Sequence, residues 1–421
     1  MTCILYMSFK TRLLRLKEIS MVIKPMIRSN ICINAHPVGC AKDTERQINY
    51  VLSQKAKRGA SAKAPKTVLV LGCSTGYGLA SRIAAAFEYG ADTIGVSFEK
   101  EASEKKAGTP GFYNNLAFDR AAQKAGMKSF TLNMDAFSDE CRTAVIEKAK
   151  EWGVKFDLIV YSLASPVRTD PDTKVLYRSV IKAIGQEYKG ASLDMMSGKL
   201  TGDMVAPIAE GSDILNTIKV MGGEDWERWI DALKGADLIA DGCKSVAYSY
   251  IGPKLSHPIY RDGTIGMAKK DLEAHSRSIS KKLAETGGAA WISVNKGLIT
   301  RSSAVIPIIA LYLGCLFKVM KEKGNHEGCI EQMERLFAER LYTADGVVPT
   351  DDEGRIRIDD WELQADVQAK VDELMAKVNE NNVADVIDLA GIQKDFLNIN
   401  GFAVDGVDYE KDVERMDVID A

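Results

Sequence analysis

The chain of 421 residues is 46% hydrophobic and carries a formal net charge of −3, so it can bury a sizeable core in one enlarged domain or in two fused lobes. Basic residues are concentrated in the first 70 positions but form no motif, which favours a solvated surface over a nucleic-acid site. The eight cysteines form no C-x-x-C pair and there are four histidines, a composition that argues against a zinc site and is typical of reduced, cytoplasmic thiols.

Residues 1–20 form a short extension before a second methionine, Met21. The extension has four basic residues and one acid, which is compatible with a targeting segment for an organelle matrix, but it is short and poor in serine. We therefore expect residues 1–20 to come from an over-long start-site assignment, and the protein to act in the cytoplasm. Residues 21–66 are expected to pack as an N-terminal segment on the core that follows.

Short apolar runs alternate with amphipathic stretches from residue 67 onward. The runs lack polar alternation, as strands do when both faces of a parallel sheet are buried; they are TVLVLG, TIGVSF, SFTLNMDA, LIVYSLA, SVAYSYIG and AWISVNKG. Segments such as GLASRIAAAFEYG and EDWERWIDALKG have the spacing of crossover helices between such strands. The pattern predicts a doubly wound α/β sheet of the Rossmann type over residues 67–320.

Two further regions belong to this architecture. The connection over about residues 165–222 is too long for a simple crossover, so we expect a substrate-side insertion with its own structure. Residues 321–421 are acidic and are expected to be mostly helical, because WELQADVQAKVDELMAKV has apolar residues at helical spacing. The longest apolar run, AVIPIIALYLGCLF, contains Pro307 and is shorter than the ~20 residues of a membrane span, so it is predicted to be a buried helix or a pocket wall.

The first strand runs into the sequence GCSTGYGLASRI, which places Gly72, Gly76 and Gly78 at a strand-to-helix turn. Glycines in such a turn let the backbone approach a pyrophosphate, and the helix N-terminus offers unpaired N–H groups to its charge. The pattern also fits an ordinary tight turn, but the flanking strand and helix supply the context that a dinucleotide site requires. We expect cofactor contacts from Gly72, Cys73, Ser74, Thr75, Gly76 and Tyr77.

The second strand ends in SFEK, which places Phe98 and Glu99 beside the predicted dinucleotide. A carboxylate here accepts hydrogen bonds from the adenine-ribose hydroxyls and repels a 2′-phosphate, which favours NADH over NADPH. The neighbouring Lys100 leaves some tolerance for NADPH, and a solvated strand-end glutamate is the alternative. The third and fourth strands close at the same sheet edge, where we expect further cofactor contacts from Asp135, Ala136, Leu163 and Ala164.

The stretch YSYIGPKLSHPIYRDGTIGMAKK contains three tyrosines and a candidate tyrosine–lysine pair. Tyr250 lies nearest the carboxyl end of the fifth strand, SVAYSYIG, whereas Tyr248 lies deeper and is predicted to be core. Tyr260 and Lys269 are nine positions apart, which is half a turn out of phase on a straight helix at about 100° per residue. We therefore expect Tyr260 in a loop, and a helix that begins near residues 262–264 and projects Lys269 toward the cofactor.

A tyrosine with a lysine is the pair by which short-chain reductases stabilise a developing oxyanion and hold the nicotinamide ribose. Each residue alone also fits an ordinary role, because a strand tyrosine is usually core and Lys269 with Lys270 fits a solvated helix face. The pair gains its significance from the complete dinucleotide site that precedes it.

Several long blocks of the chain, in order, closely resemble the trans-2-enoyl-CoA reductases, or FabV-type enoyl-thioester reductases. The resemblance covers nearly the whole chain from Met21 and is carried by VIKPMIRSNICINAHPVGC, APKTVLVLGCSTGYGLASRI, FDLIVYSLASPVRTDP, KVMGGEDWERWI, AYSYIGP, SVNKGLITRSSAVIP and FKVMKEKGNHEGCIEQ. It implies NADH-dependent reduction of the C2–C3 double bond of an enoyl thioester, carried on CoA or acyl carrier protein. It also implies a monomeric, enlarged short-chain-dehydrogenase-like fold that serves fatty acid synthesis.

The resemblance further implies roles for individual residues. The family's Y-x8-K pair maps onto Tyr260 and Lys269, and its substrate-contacting tyrosine maps onto Tyr250. Members often have lysine where this chain has Met267, a departure that leaves the pair intact. A C-terminal segment of the family has been labelled as flavin-binding, but the sequence contains no flavin motif and we expect neither flavin nor metal to be needed. A later cofactor contact maps onto Leu298, Ile299 and Thr300.

The implied chemistry starts from hydride transfer to C3, which places charge on the thioester oxygen. The hydroxyls of Tyr250 and Tyr260 are then placed to stabilise this enolate and to supply a proton at or near C2. The run AVIPIIALYLGCLF is expected to wall the acyl chain. Two alternatives stay open: an NAD(P)H-dependent short-chain dehydrogenase that acts on carbonyls with the same pair, and a non-catalytic dinucleotide sensor, which would not need these residues.

Overall fold

The computed structural model describes residues 20–28, 30–59, 64–103, 106–301, 303 and 306–414. Residues 1–19 of the expected extension lie outside these ranges. The strands, in chain order, are β1 Ser20–Met21, β2 Ile27–Arg28, β3 Ile31–Cys32, β4 Thr67–Leu71, β5 Asp92–Ser97, β6 Ser129–Asn133, β7 Phe156–Tyr161, β8 Val167–Thr169, β9 Leu176–Arg178, β10 Tyr188–Leu193, β11 Leu200–Ala206, β12 Ile239–Ser249, β13 Ala289–Val294, β14 Ile356–Arg357 and β15 Val413–Glu414.

The α-helices are also numbered in chain order. They are α1 Pro37–Arg58, α2 Gly76–Ile83, α3 Pro110–Lys124, α4 Asp139–Trp152, α5 Asp213–Met221, α6 Glu224–Gly235, α7 His257–Tyr260, α8 Thr264–Leu283, α9 Pro307–Lys323, α10 Cys329–Leu336, α11 Ala365–Lys377, α12 Val383–Val386 and α13 Leu389–Asn398. Two of them continue into single π-helical turns, α2 through Ala84–Glu88 and α10 through Phe337–Leu341.

A seven-stranded parallel sheet organises the molecule, in the order β14-β13-β12-β7-β4-β5-β6. The predicted α/β class is therefore confirmed, and all six predicted strands are present. The seventh, β14, was missed because its two residues carry no periodic signal. The chain winds outward from β4 to β6 and then returns to β7 on the other side of β4, so the winding reverses between β4 and β7. Ligands bind at such a switch point in open α/β sheets.

Helices cover both faces of the sheet, as doubly wound folds require. One face is packed by α1, α2 and α10 through residues such as Val51, Leu79 and Leu336. The other face is packed by α4, α6 and α8 through residues such as Val145 and Trp229. The stretches predicted as crossover helices are α2 with its π-helical turn, and α6.

The long connection after β7 has its own structure, as expected: the hairpins β8–β9 and β10–β11 and the helix α5. The C-terminal part is helical around α11 to α13, and these helices pack with α9 in a third apolar cluster. The part of the run AVIPIIALYLGCLF from Pro307 onward forms the beginning of helix α9, which is largely buried. No helix within the described ranges is long and apolar enough to cross a membrane.

A buried guanidinium fixes α2 to the sheet. Arg82 is 0% exposed, donates to Asp119 Oδ1 (2.9 Å) and to Thr131 Oγ1 (2.7 Å), and lies over the Phe118 ring at 4.3 Å from its centroid. Gly95 of β5 makes room for it, since a Cβ there would lie 2.7 Å from Arg82 Nη1. The helix that begins at the glycine turn is therefore held by charge-assisted hydrogen bonds to β6 and α3.

We expect Arg82→Met to lower the free energy of unfolding by about 3 kcal/mol, because it leaves the Asp119 carboxylate without its charged partner. Urea unfolding, monitored by circular dichroism, measures the change in the free energy of unfolding. The control is Arg46→Met, which removes an exposed ion pair to Asp43 and should cost about 0.5 kcal/mol or less. Equal losses in the two variants would contradict this view of α2.

Candidate active site

The turn after β4 is shaped by close backbone contacts. Gly72 has a φ of +86°, and a Cβ there would lie 2.2 Å from the Ser162 carbonyl oxygen. A Cβ on Gly78 would lie 1.9 Å from the Gly72 carbonyl oxygen. Only glycine fits at these two positions, so the chain turns directly from β4 into α2 and leaves the N-terminus of α2 open at the sheet edge.

Most side chains of this turn point away from the open edge. The Cys73 thiol is buried against Asn115, and burial raises its pKa to about 11, so it is not a nucleophile. The Tyr77 hydroxyl donates to the Lys296 carbonyl (2.7 Å). Thr75 caps α2 in an extended conformation without a side-chain hydrogen bond. The turn therefore offers backbone N–H groups, which is what a pyrophosphate needs.

The Glu99 side chain is 9% exposed, which is not the solvated strand-end glutamate considered as the alternative. Its carboxylate accepts a hydrogen bond from Ser74 Oγ (2.7 Å) and forms an ion pair with Arg301 (3.3 Å). Sequence reasoning missed Arg301, for which adjacency to Thr300 was the available signal. Next to Glu99, the Phe98 ring is 79% exposed.

The remaining predicted cofactor residues lie at the same edge of the sheet. Thr300 is close to the glycine turn, since its Cγ2 lies 3.9 Å from the position of a Cβ on Gly76. Leu298 and Ile299 are buried. Four others follow the ends of β6 and β7: Asp135, Ala136, Leu163 and Ala164. The Asp135 carboxylate accepts a hydrogen bond from a neighbouring backbone N–H, and the Ala136 carbonyl accepts one from an indole.

The three tyrosines of the quoted stretch have different surroundings. Strand β12 ends at Ser249, so Tyr250 is the first residue beyond it. Tyr248 is partly buried and packs against the core cluster, and its hydroxyl is hydrogen-bonded to Ser81 Oγ (2.5 Å). The rings of Tyr250 and Tyr260 meet edge to face, with centroids 4.8 Å apart and an interplanar angle of 87°.

The prediction that Tyr260 lies in a loop was wrong, because it is the last residue of the short helix α7. Pro258 lies in the first turn of α7, where a fixed φ favours helix. The predicted start of the next helix is confirmed, since α8 begins at Thr264. The break between the two helices removes the phase conflict between Tyr260 and Lys269.

Lys269 projects from α8 to the end of β12, where its Nζ donates to the Tyr248 carbonyl (3.1 Å). Burial lowers the pKa of Lys269 to about 8. Burial also raises the pKa of Tyr260 above its ordinary value, so its hydroxyl is protonated at neutral pH. In the part of the chain that the structure describes, no hydrogen bond engages the Tyr260 hydroxyl, which leaves its proton available to a ligand.

An apolar pocket opens beside Tyr260. Ile306, Ile309 and Tyr312 line one side of it, so the predicted pocket wall from the run AVIPIIALYLGCLF is present. The other lining residues are Tyr188, Leu255, Ser256, Ile259 and Tyr260 itself. The lining is apolar, but the cavity has a volume of about 20 Å³, so a hydrocarbon chain would fit only after the lining side chains move apart.

Among the residues that the structure describes, two buried polar atoms at the ends of neighbouring strands have no hydrogen-bond partner. They are Ser249 Oγ at the end of β12 and Asn295 Nδ2 just after β13, where the Asn295 N–H donates to the Ser249 carbonyl (2.9 Å). Buried polar groups are normally paired, so these two fit a polar ligand at this edge of the sheet. Neither residue belongs to a motif that could have predicted this role.

A parallel sheet with a glycine turn at its switch point, and a tyrosine and a lysine at the same edge, is the arrangement of a dinucleotide-dependent oxidoreductase. Family models match three consecutive segments of the chain: the NAD(P)H binding domain of trans-2-enoyl-CoA reductase (residues 22–104), the trans-2-enoyl-CoA reductase catalytic region (106–342) and the enoyl reductase FAD binding domain (350–413). The chain belongs to the trans-2-enoyl-CoA reductase family.

Individual relatives agree with this assignment. The chain is 59% identical over 400 residues to a trans-2-enoyl-CoA reductase [NADH] of Treponema denticola, covering 95% of this chain and 100% of that one. An enoyl-[acyl-carrier-protein] reductase [NADH] of Flavobacterium psychrophilum is 50% identical over 396 residues, covering 94% and 98%. The crystal structure of the Treponema denticola enzyme in complex with NAD superposes with a TM-score of 0.92 at 58% identity, covering 95% of this chain and 100% of that chain.

The description of the third family model raises the question of a flavin. Among the described residues of 350–413, every buried side-chain nitrogen and oxygen has a hydrogen-bond partner. Its buried carboxylates are already occupied, Asp359 by Arg357 and Glu362 by two tyrosines. The described residues of this segment therefore leave no buried side-chain polar atom unpaired for a flavin to bind. That the enzyme needs none stays a prediction.

We expect Tyr248→Phe to lower the free energy of unfolding by about 1 kcal/mol, because it removes the hydrogen bond to Ser81 within the core. Its turnover at a temperature well below unfolding should equal that of the unmodified protein. Thermal unfolding and steady-state kinetics measure the two effects. A large loss of kcat with intact stability would place Tyr248 in the chemistry and contradict its assignment to the core.

Proposed function

We propose that this chain reduces trans-2-enoyl thioesters, carried on CoA or acyl carrier protein, to saturated acyl thioesters with NADH in fatty acid synthesis. The observation that carries the proposal is the Tyr260 hydroxyl, which is without a partner among the described residues and lines an apolar pocket at the glycine-turn edge in a member of this family. Crotonyl-CoA with NADH, assayed against ketones with NADPH, tests it. Faster turnover of ketones would refute it.

The residues that would hold the cofactor lie along the edge formed by the ends of β4 to β7, β12 and β13. The N–H groups at the start of α2 would bind its pyrophosphate, Glu99 would accept from its adenine ribose, and Lys269 would hold its nicotinamide ribose. NADH supplies the hydride that goes to C3 of the enoyl group. The other residues of this assignment are Gly72, Cys73, Ser74, Thr75, Gly76, Tyr77, Phe98, Asp135, Ala136, Leu163, Ala164, Leu298, Ile299 and Thr300.

The two tyrosines act on the thioester end of the substrate. As the C2–C3 double bond is reduced, negative charge develops on the thioester oxygen, and the Tyr260 hydroxyl donates a hydrogen bond to it and supplies a proton at or near C2. The raised pKa of Tyr260 keeps this proton in place until the charge forms. Tyr250, packed against the Tyr260 ring, contacts the substrate and holds that ring in place.

The acyl chain enters the apolar pocket beside Tyr260. Ile306 and Ile309 supply apolar surface there, and burial of each CH₂ group stabilises the complex by about 0.8 kcal/mol. We also propose that the enzyme acts as a monomer in the cytoplasm. A carbonyl-reducing dehydrogenase and a non-catalytic sensor are disfavoured, because the chain's similar relatives are named NADH-dependent enoyl thioester reductases.

We expect Tyr260→Phe to lower kcat by about 10²-fold or more, because it keeps the ring but removes the hydroxyl that stabilises the enolate. The Kd for NADH should change little. Steady-state kinetics with crotonyl-CoA and fluorescence titration with NADH measure the two effects. Tyr248→Phe is the matched control, since it removes a tyrosine hydroxyl from the neighbouring core, and equal kcat losses in both variants would contradict the assignment.

Cofactor choice should depend on the pair of Glu99 and Arg301. We expect the unmodified enzyme to prefer NADH strongly, and Glu99→Ala to narrow this preference. The substitution removes the carboxylate that repels a 2′-phosphate, and it frees the Arg301 guanidinium to bind that phosphate. Adding Arg301→Ala to Glu99→Ala should reverse the gain with NADPH. The kcat/KM values with both cofactors test this. Equal values in the unmodified enzyme, or a gain that survives loss of Arg301, would oppose it.

A further inference from the structure

A buried carboxylate from the C-terminal part reaches the tyrosines of the site. Glu362, between β14 and α11, is 0% exposed. Its Oε1 accepts hydrogen bonds from the hydroxyls of Tyr250 (3.1 Å) and Tyr312 (2.7 Å), and its Oε2 accepts one from the Gly297 N–H (2.6 Å). One side chain therefore joins the end of β12, the wall of the apolar pocket and the backbone just before residues 298–300.

The backbone at Gly297 has little freedom. A Cβ at Gly297 would lie 3.0 Å from the Tyr250 hydroxyl oxygen, closer than an ordinary contact. The Lys296 ammonium donates to the Gly297 carbonyl (3.1 Å), and Tyr77 donates to the Lys296 carbonyl (2.7 Å). The peptide that contacts Tyr250 is thus fixed from several sides, and Glu362 ties the Tyr250 hydroxyl to it.

The hydrogen-bond pattern also determines where the tyrosine protons point. Tyr250 has one hydroxyl proton, which it donates to Glu362. Three donors surround the Glu362 carboxylate, and this arrangement suits its ionised form. Burial raises the pKa of Glu362, while the nearby Lys296 ammonium opposes that effect. The proton of Tyr250 is therefore held by Glu362, whereas the Tyr260 hydroxyl has no acceptor among the described residues.

We propose that Glu362 is a positioning residue for enoyl reduction, which acts by holding Tyr250 against Gly297 and hence against the cofactor segment 298–300. The inference rests on the proposed roles of Tyr250 and of that segment. A displacement of about 1 Å in a positioned group can cost about 10²-fold in rate, so a carboxylate that does not touch the substrate still has a measurable effect.

A double-mutant cycle tests the proposal, with Glu362→Gln and Tyr250→Phe made singly and together in the full chain. Both oxygens of the Glu362 carboxylate accept hydrogen bonds, whereas the glutamine amide has an NH₂ group in place of one oxygen. Glu362→Gln therefore loses the hydrogen bonds either from the tyrosines or from Gly297, and it should lower kcat/KM for crotonyl-CoA by about 10-fold to 100-fold. In the Tyr250→Phe background the same change should cost about threefold or less, because its target is already lost.

The control variant is Asp359→Asn. Asp359 lies in the same segment and is as buried as Glu362, but its carboxylate pairs with Arg357 and does not contact the tyrosines. It should lower the melting temperature and leave kcat/KM unchanged at a temperature where the protein is folded. If Glu362→Gln does not fold, Glu362→Asp replaces it in the cycle, since it keeps the charge and shortens the reach.

The outcomes separate the inference from the function on which it rests. If Tyr250→Phe lowers activity and neither Glu362 variant does, or if the two losses multiply independently, the positioning role is overturned. If Tyr250→Phe leaves kcat/KM unchanged, the proposed role of Tyr250 is wrong, and the positioning role of Glu362 is wrong with it. If Asp359→Asn loses as much kcat/KM as Glu362→Gln, the effect belongs to the stability of the segment and not to Tyr250.

Discussion

The site depends on one steric constraint, the close approach of backbones at the switch point of the sheet. The Gly72 backbone abuts the Ser162 carbonyl at the end of β7, and Gly78 abuts Gly72 itself, with no room for a Cβ at either glycine. This contact places the N-terminus of α2 directly above the gap between β4 and β7. The buried guanidinium of Arg82 then holds α2 against the sheet, so the N–H groups at its start have a fixed direction.

Buried charges recur around this edge, and each one links separate elements. Lys269 ties α8 to the end of β12, and Glu362 ties the C-terminal part to Tyr250 and to the backbone after β13. Charged groups with several hydrogen bonds in a low dielectric are costly to move. The polar contacts therefore define one arrangement of the pocket, whereas the apolar clusters around them mainly provide stability.

The sheet and its crossover helices were predictable because long apolar runs and 3.6-residue spacing carry strong signals. The glycine turn and the break before Thr264 were also predictable, from local geometry. Contacts between distant segments were not predictable, because charge and spacing along the chain do not show which polar side chains meet in the fold. The pairs Arg301 with Glu99 and Glu362 with Tyr250 are examples. The one-turn helix at Tyr260 was missed because its four residues are too few for a periodic pattern.

The C-terminal part completes the sheet domain and does not form a separate body. Strand β15 pairs with β1, and the Gly401 carbonyl lies where a Cβ on Gly39 of α1 would be, so the described residues around 401–414 pack against the N-terminal segment. Between these contacts the same part supplies β14 to the sheet and Glu362 to the tyrosines. Because the C-terminal part contacts both the sheet and α1, its position depends on the packing of both. The Glu362 carboxylate links this part of the chain to Tyr250 by a hydrogen bond, so the C-terminal part contacts the candidate site directly.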